Sequence, residues 1–417
     1  MHIRLLDFLS GLSGALDLMS PEVVGHHKRV AYLASRLAHA LGVDRKERTE
    51  LFMAAVLHDV GGFTLQSRLA ALSFEADGAR HAEIGYRLLR DNPLLDEAAV
   101  IVRHHHTPRS RYGVLNEPVR KLQLAGILNL ADRVDVLTLR HKACDPTEIM
   151  GHIRPRAGYQ FDPAAVEALG DLAAEPGFWA PLAPAAKEDP TRSLPDDMFD
   201  ERGFTHQELM QASTAFSHII DFRSRFTATH SRGVAETAVI LAEKSGMEGA
   251  RLTAIRLAGN LHDIGKLAVP SEIIDKPGPL NEAERAIMER HPELGETILS
   301  SVPGLEDVTA WASQHHEKLN GTGYPNRLSR EDIPLGSRVM ALADIFTALR
   351  EDRPYRPGIE NGRTMAILEG MATGGALDPE LVSLMRGGLV EIDACRRAAQ
   401  ASAAEEFRRF YTGVPAQ

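Results

Sequence analysis

Cysteine is nearly missing: only Cys144 and Cys395 occur in 417 residues, one in each half. With no second cysteine close to either, a disulfide framework and a cysteine-based zinc knuckle are both excluded, and the two read as ordinary thiols. No run of about 18 apolar residues exists, which argues against a membrane-spanning helix. The first twenty residues lack the basic start and small-residue cleavage site of a secretory signal, so a cytoplasmic protein is expected. Basic residues are in deficit, 47 Lys and Arg against 57 Asp and Glu, for a formal charge of −10. A broad DNA- or RNA-binding surface is therefore not expected, because such binding replaces counterions with clustered cations. Aromatics are only 6% of the chain.

What is present is the composition of a soluble globular protein, 44% hydrophobic and 25% charged, long enough for two domains of about 200 residues. Ala and Leu are abundant, which favours helix. Eighteen histidines are the unusual feature.

Many of these histidines belong to one pattern written twice. AAVLHDVGG (54–62) is echoed by AGNLHDIGK (258–266), RHAEIGYRLL (80–89) by RHPELGETIL (290–299), and NLADRVDVL (129–137) by ALADIFTAL (341–349). The intervals agree as well: His26 to His58 and His230 to His262 both span 32 residues, and His81 to His105 and His291 to His315 both span 24. Spacing between scattered polar residues is not preserved by chance, so a tandem duplication is expected. Between the copies, the prolines at 181, 184, 190 and 195 and an acidic cluster have linker composition. The expected organisation is a first domain over 1–178, a linker over 179–204 and a second domain over 205–417.

Within each copy the apolar periodicity is helical. Val30, Leu33, Ala34, Leu37, Ala38 and Leu41 keep i, i+3, i+4, i+7 spacing up to Gly42, and Val234, Ala238, Leu241 and Ala242 do the same before Gly246. No convincing alternating stretch occurs, so the fold class is all-α.

In the second copy His230, His262, Asp263, His291, His315, His316 and Asp344 are the donor types of a divalent metal site. Imidazole and carboxylate without thiolate suit iron or manganese better than a structural zinc. Seven donors exceed what one tetrahedral ion needs. Two ions about 3.5–4 Å apart would use them and could hold a bridging hydroxide for in-line attack on phosphorus. Each histidine alone is more often a hydrogen-bonded core residue; the set, present twice at matching intervals, is not explained that way.

The segments LHDIGK (261–266), RHPELG (290–295), HHEKLNGTGYP (315–325), ALADIFTAL (341–349) and DRPYRP (352–357) closely resemble the signatures of the HD-GYP family of HD metal-dependent phosphohydrolases. The resemblance covers nearly the whole second copy. It implies two tandem HD-domain helical bundles and hydrolysis of a 3′,3′-cyclic dinucleotide, cyclic di-GMP first and cyclic GMP-AMP as the alternative. It also implies two divalent ions held by the seven residues above, with Asp263 bridging and acting in catalysis. Lys266 would face a substrate phosphate and stabilise charge there. Gly323, Tyr324 and Pro325 would shape the substrate cleft, and Arg353 and Arg356 would bind substrate. Asn320 stands where the family commonly has Asp, which bears on dinucleotide preference. Phe226 replaces the Glu that holds a third ion in some members.

By the duplication, Glu22, His26, His58, Asp59, His81, His105, His106 and Asp132 fall on ligand positions of the first copy, a second candidate metal site. His104 leaves open which two of the three histidines at 104–106 serve. Gly62 replaces Lys266, and HTPRSRYGV (106–114) replaces the GYP loop. The first copy is therefore expected to be regulatory or structural, with a second divergent phosphohydrolase site as the alternative. A non-catalytic cyclic-dinucleotide sensor is the rival from another class. A homodimer or a signalling-protein partner stays open.

Overall fold

The computed structural model describes residues 3–17, 24–62, 79–141, 145–183, 188–199, 203–224, 227–352 and 357–412. Glu22, Phe226, Arg353 and Arg356 lie outside them. The described residues are helical, with isolated bridges but no strand, as the periodicity predicts. The chain divides into two compact units, Arg4–Phe204 and Thr205–Gln417, the second joined by Met1–Ile3.

The N-terminal unit contains α1 (Leu5–Asp17), α2 (His26–Ala40), α3 (Arg45–Leu57), α4 (Ala79–Leu89), α5 (Asp96–His104), α6 (Val119–His141), α7 (Pro146–Ile153) and α8 (Pro163–Ala173). The C-terminal unit contains α9 (His206–Asp221), α10 (His230–Lys244), α11 (Ala250–Leu261), α12 (Ser271–Ile274), α13 (Glu282–Met288), α14 (His291–Leu299), α15 (Glu306–Ser313), α16 (Leu335–Arg350), α17 (Asn361–Thr373) and α18 (Pro379–Tyr411). The duplication places α1, α2, α3, α4, α5 and α6 opposite α9, α10, α11, α14, α15 and α16.

In each unit the second helix is the hub. α2 packs against α3 and α6, and α10 against α11, α16 and α18. The apolar stripe of α2 is fully buried at Val30, Leu33, Leu37 and Ala38, each large side chain worth about 1.5–3 kcal/mol against exposure. Gly42 and Gly246 adopt positive φ of 67° and 85°, the left-handed stop expected after these stripes.

The units differ in what closes this hub. α18 runs 33 residues, whereas α8, its counterpart, runs 11. In the N-terminal unit the proline-rich segment lies on the helices instead of spanning free. Lys28 pairs with Asp189 at 2.8 Å, Arg48 Nε donates to the Met198 carbonyl at 2.8 Å, and Phe52 meets Phe199 edge-on at 5.0 Å. Described residues of this segment form short 3-10 turns, Ala180–Leu182, Pro190–Ser193 and Asp196–Met198.

Candidate metal centre

The clustered side chains sit at helix ends. In the C-terminal unit His230 and His291 open α10 and α14, His262 follows α11, and His315 and His316 follow α15; Asp344 alone comes from mid-helix, in α16. A helix C-terminus leaves carbonyls without partners. His262 Nδ1 donates to the Gly259 carbonyl at 2.8 Å and His315 Nδ1 to that of Ala312 at 2.5 Å. His291 Nδ1 donates to the Met288 carbonyl at 2.7 Å. Since a carbonyl can only accept, each of these rings must carry its proton on Nδ1, leaving the Nε2 lone pair turned inward.

Those inward nitrogens converge. His230, His262 and Asp344 form one triad of donor atoms within 4.8 Å of one another, and His291, His315 and His316 form another. Asp263 lies between them: Oδ2 is 3.4 Å from His262 Nε2 and Oδ1 is 3.3 Å from His291 Nε2. All seven candidates therefore meet in one buried pocket. Lys266 Nζ reaches Asp263 Oδ2 at 2.6 Å. The glycine after His-Asp has a steric reason, since a Cβ on Gly265 would lie 1.9 Å from the His291 carbonyl oxygen. Gly61 meets the His81 carbonyl oxygen in the same way, at 2.1 Å.

Burial drives His291 down to about 3 and His315 to about 4, and lowers His262 as well. These rings are neutral near pH 7 and can donate lone pairs. Burial by itself would lower His230 too, but Glu351 at 3.0 Å and Asp344 at 3.1 Å outweigh it and raise it to about 10. His262 Nε2 and Asp263 Oδ1 are buried without a hydrogen bond. An unpaired buried donor or acceptor is costly, and here the two face each other's neighbours across a gap lined by neutral imidazole and ionised carboxylate. That donor set fits divalent ions.

The GYP segment stands beside this pocket. The Tyr324 ring lies 4.7 Å from that of His316, and Tyr324 N donates to the His316 carbonyl at 3.3 Å. Buried Glu317 fixes the loop by accepting from Asn326 N at 2.6 Å and Leu328 N at 3.0 Å. Asn320 is turned into the loop and its neighbour, accepting from Thr322 Oγ1 at 2.7 Å and donating to the Gly374 carbonyl at 3.1 Å.

The N-terminal unit repeats the arrangement with changes. Asp59, His81, His105 and His106 present donor atoms within 4.8 Å of one another, as do His26, His58 and Asp59. His104 faces away, 3.5 Å from Glu117, so the register falls on His105 and His106. His58 and His105 donate Nδ1 protons to the Ala55 and Val102 carbonyls, and burial lowers them to about 4 and about 3.

Several contributors escaped the sequence reading. Glu351 holds His230 and accepts from Gln400 Nε2 at 2.6 Å. In the N-terminal unit Asp135 holds His26 at 2.8 Å and is gripped by Arg29 Nε at 2.6 Å. Arg133, 2% exposed, donates through Nε to Asp132 Oδ2 at 3.0 Å. The only signal was that Arg133 and Asp135 interrupt an apolar helix where the other copy has Ile345 and Thr347.

HD-domain family profiles match residues 23–137 and 214–381. The 3′3′-cGAMP-specific phosphodiesterase 1 of Vibrio cholerae is 31% identical over 388 residues, 90% of this chain and 89% of that protein. The cyclic di-GMP phosphodiesterase response regulator RpfG of Xanthomonas campestris is 34% identical over 187 residues, 44% of this chain and about half, 49%, of that protein. The crystal structure of the Vibrio cholerae cyclic GMP-AMP phosphodiesterase V-cGAP3 shares the fold, with a TM-score of 0.62 at 23% identity over 93% of this chain and 98% of that one. Two HD domains in one chain, and a relative aligned over about nine-tenths of both chains, establish that this chain is a tandem member of the HD-GYP family of phosphodiesterases.

Proposed function

We propose that the C-terminal unit hydrolyses a 3′,3′-cyclic dinucleotide at the pocket around Asp263. The observation that carries this is the meeting of seven imidazole and carboxylate donors beside Tyr324 and Lys266. His230, His262 and Asp344 would hold one divalent ion, His291, His315 and His316 a second, and Asp263 would bridge them. Bound there, the ions supply Lewis acidity to phosphoryl oxygen and to water. The chain's own residues do the rest. Nδ1 hydrogen bonds fix the imidazoles, Lys266 places a positive charge where negative charge grows on phosphorus, and the anchored 323–325 loop walls the cleft. Iron or manganese suits this thiolate-free set better than zinc.

The preference between substrates shifts from the sequence reading. A relative matched over 89% of its length is named as specific for 3′3′-cGAMP; the named cyclic di-GMP enzyme is matched over half. Cyclic GMP-AMP is therefore placed first and cyclic di-GMP second. Purified full-length protein with manganese or ferrous iron should hydrolyse cyclic GMP-AMP faster than cyclic di-GMP. Turnover of neither would end the proposal, and a preference for cyclic di-GMP would reverse the order.

The N-terminal unit is assigned a regulatory or structural role. It has no lysine at the Lys266 position, where Gly62 stands, and no GYP segment after its paired histidines.

A further inference from the structure

The two pockets differ most at one helix face. Asp132 and Asp344 are equivalent, each mid-helix in α6 and α16, but the next residue is Arg133 in one and Ile345 in the other. Arg133 folds back on its neighbour. Nε and Nη2 both donate to Asp132 Oδ2, at 3.0 and 2.5 Å, with both residues buried at 2% exposure. A guanidinium does not give up its proton in a protein, so this corner carries a permanent positive charge out of water. Asp132 is drawn with it: Oδ1 lies 3.6 Å from His26 Nε2, against 3.1 Å between Asp344 Oδ1 and His230 Nε2. Asp344 belongs to a donor triad with His230 and His262, whereas no such group among the described residues includes Asp132. Asp135, three residues on, brings a second guanidinium, Arg29, to the far side of His26.

The opposite corner keeps its donors, although the Arg133 charge also reaches it, adding to burial in lowering the His106 pKa. Asp59, His81, His105 and His106 form a four-donor group on their own, enough for one ion. His81 Nε2 is 3.1 Å from Asp59 Oδ1 and 3.0 Å from His106 Nε2. We infer that the N-terminal unit is a one-ion site, built on Asp59, His81, His105 and His106, in which Arg133 stands in for the second cation by neutralising Asp132. His26, His58 and Asp59 still bring three donor atoms within 4.8 Å of one another, but a divalent ion there that also drew on Asp132, the equivalent of Asp344, would share that carboxylate with a fixed guanidinium in a low-dielectric interior, where like charges repel strongly. This rests on the reading of both pockets as metal centres. It gives the asymmetry a physical basis: one unit keeps paired ions for chemistry on a phosphodiester, and the other keeps one ion and a resident cation.

The test is the manganese content of the full-length chain, stripped, reloaded, desalted and measured by mass spectrometry against protein concentration. The wild type should retain about three ions per chain, two in the C-terminal unit and one in the N-terminal unit. His81→Ala should lose about one ion, and His26→Ala should lose none. Arg133→Ile, which installs the residue of the other copy, should gain about one. Four ions in the wild type, or equal loss in His81→Ala and His26→Ala, would overturn the inference while leaving both metal centres standing. The His81 and His26 comparison decides the matter even if Arg133→Ile fails to fold. Retention of no ion by the wild type would overturn the metal reading of both units together with this inference.

Discussion

The two units place the same histidines on the same helix ends and differ in where their buried cations sit. In the C-terminal unit Lys266, one turn beyond the His-Asp pair, lies on Asp263 at 2.6 Å and is reachable from the cleft, since its side chain keeps 21% exposure. In the N-terminal unit the cations are Arg133 and Arg29, on Asp132 and Asp135, of which Arg133 is sealed from water. A cation at the mouth can meet a substrate phosphate; a cation in the wall can only balance charge. The two pockets thus differ in charge placement within a shared geometry of candidate donors.

The sharpest break of this comparison is removal of equivalent ligands. His262→Ala should lower cyclic-dinucleotide hydrolysis on the order of 10³-fold or more, because a lost ligand removes several kcal/mol of charge stabilisation. His58→Ala should leave turnover within a few-fold. Activity lost in His58→Ala and kept in His262→Ala would exchange the roles of the units. Next in size, Lys266→Gly, which copies Gly62, should cost about 10²–10³-fold in kcat with metal content unchanged. Loss of metal in parallel would show that Lys266 acts through Asp263 and not on substrate.

Smaller effects come from the carboxylates behind the ligands. Glu351 accepts from His230 and from Gln400, and Asp135 plays the equivalent part for His26 from a position one helical turn earlier. Glu351→Gln should weaken manganese binding in the C-terminal unit by about 10–100-fold, the usual range for residues that orient a ligand. Asp135→Asn should leave hydrolysis unaffected. Equal loss in both variants would mean that the two pockets are coupled.

The clusters of candidate donors were legible in the sequence because metal donors are few in kind and their spacing repeats; the described candidates of both sets lie close together in their units. The helices were legible from apolar periodicity for the same reason, since burial on a hub helix imposes it. What stayed hidden depends on side-chain direction. Nothing in NLADRVDVL says that Arg133 turns inward, because an arginine on a helix is ordinarily solvated. Gln400 lies 49 residues from Glu351, and only the length of α18 brings it back. The proline-rich stretch reads as linker by composition, yet it docks on α2 and α3 through an ion pair, a ring contact and one backbone carbonyl, long-range pairings that composition does not reveal.

The mildest test concerns the residue that precedes the first ligand helix in each unit. Asp17 meets His27 Nδ1 at 2.5 Å, while its counterpart Asp221 accepts from Ser231, whose N and Oγ both donate to it at 3.0 Å. Burial raises the Asp221 pKa from 3.8 to about 7, with His230 opposing and Asp263 reinforcing the shift. The folded unit therefore binds a proton that the unfolded chain releases above pH 4. The associated stability is complete below the unfolded pKa and is lost as pH rises through about 7. In chelator, the wild type should lose melting temperature relative to Asp221→Asn as pH rises from about 4 to 7, by roughly 2–4 °C for each kcal/mol lost, while the depressed His262, His291 and His315 shift both proteins alike in the opposite direction. Asp221→Asn should lack that loss, because the amide stays neutral, and Asp17→Asn should leave it in place. A slope unchanged by Asp221→Asn would assign the pH dependence to other groups and remove this contrast between the units.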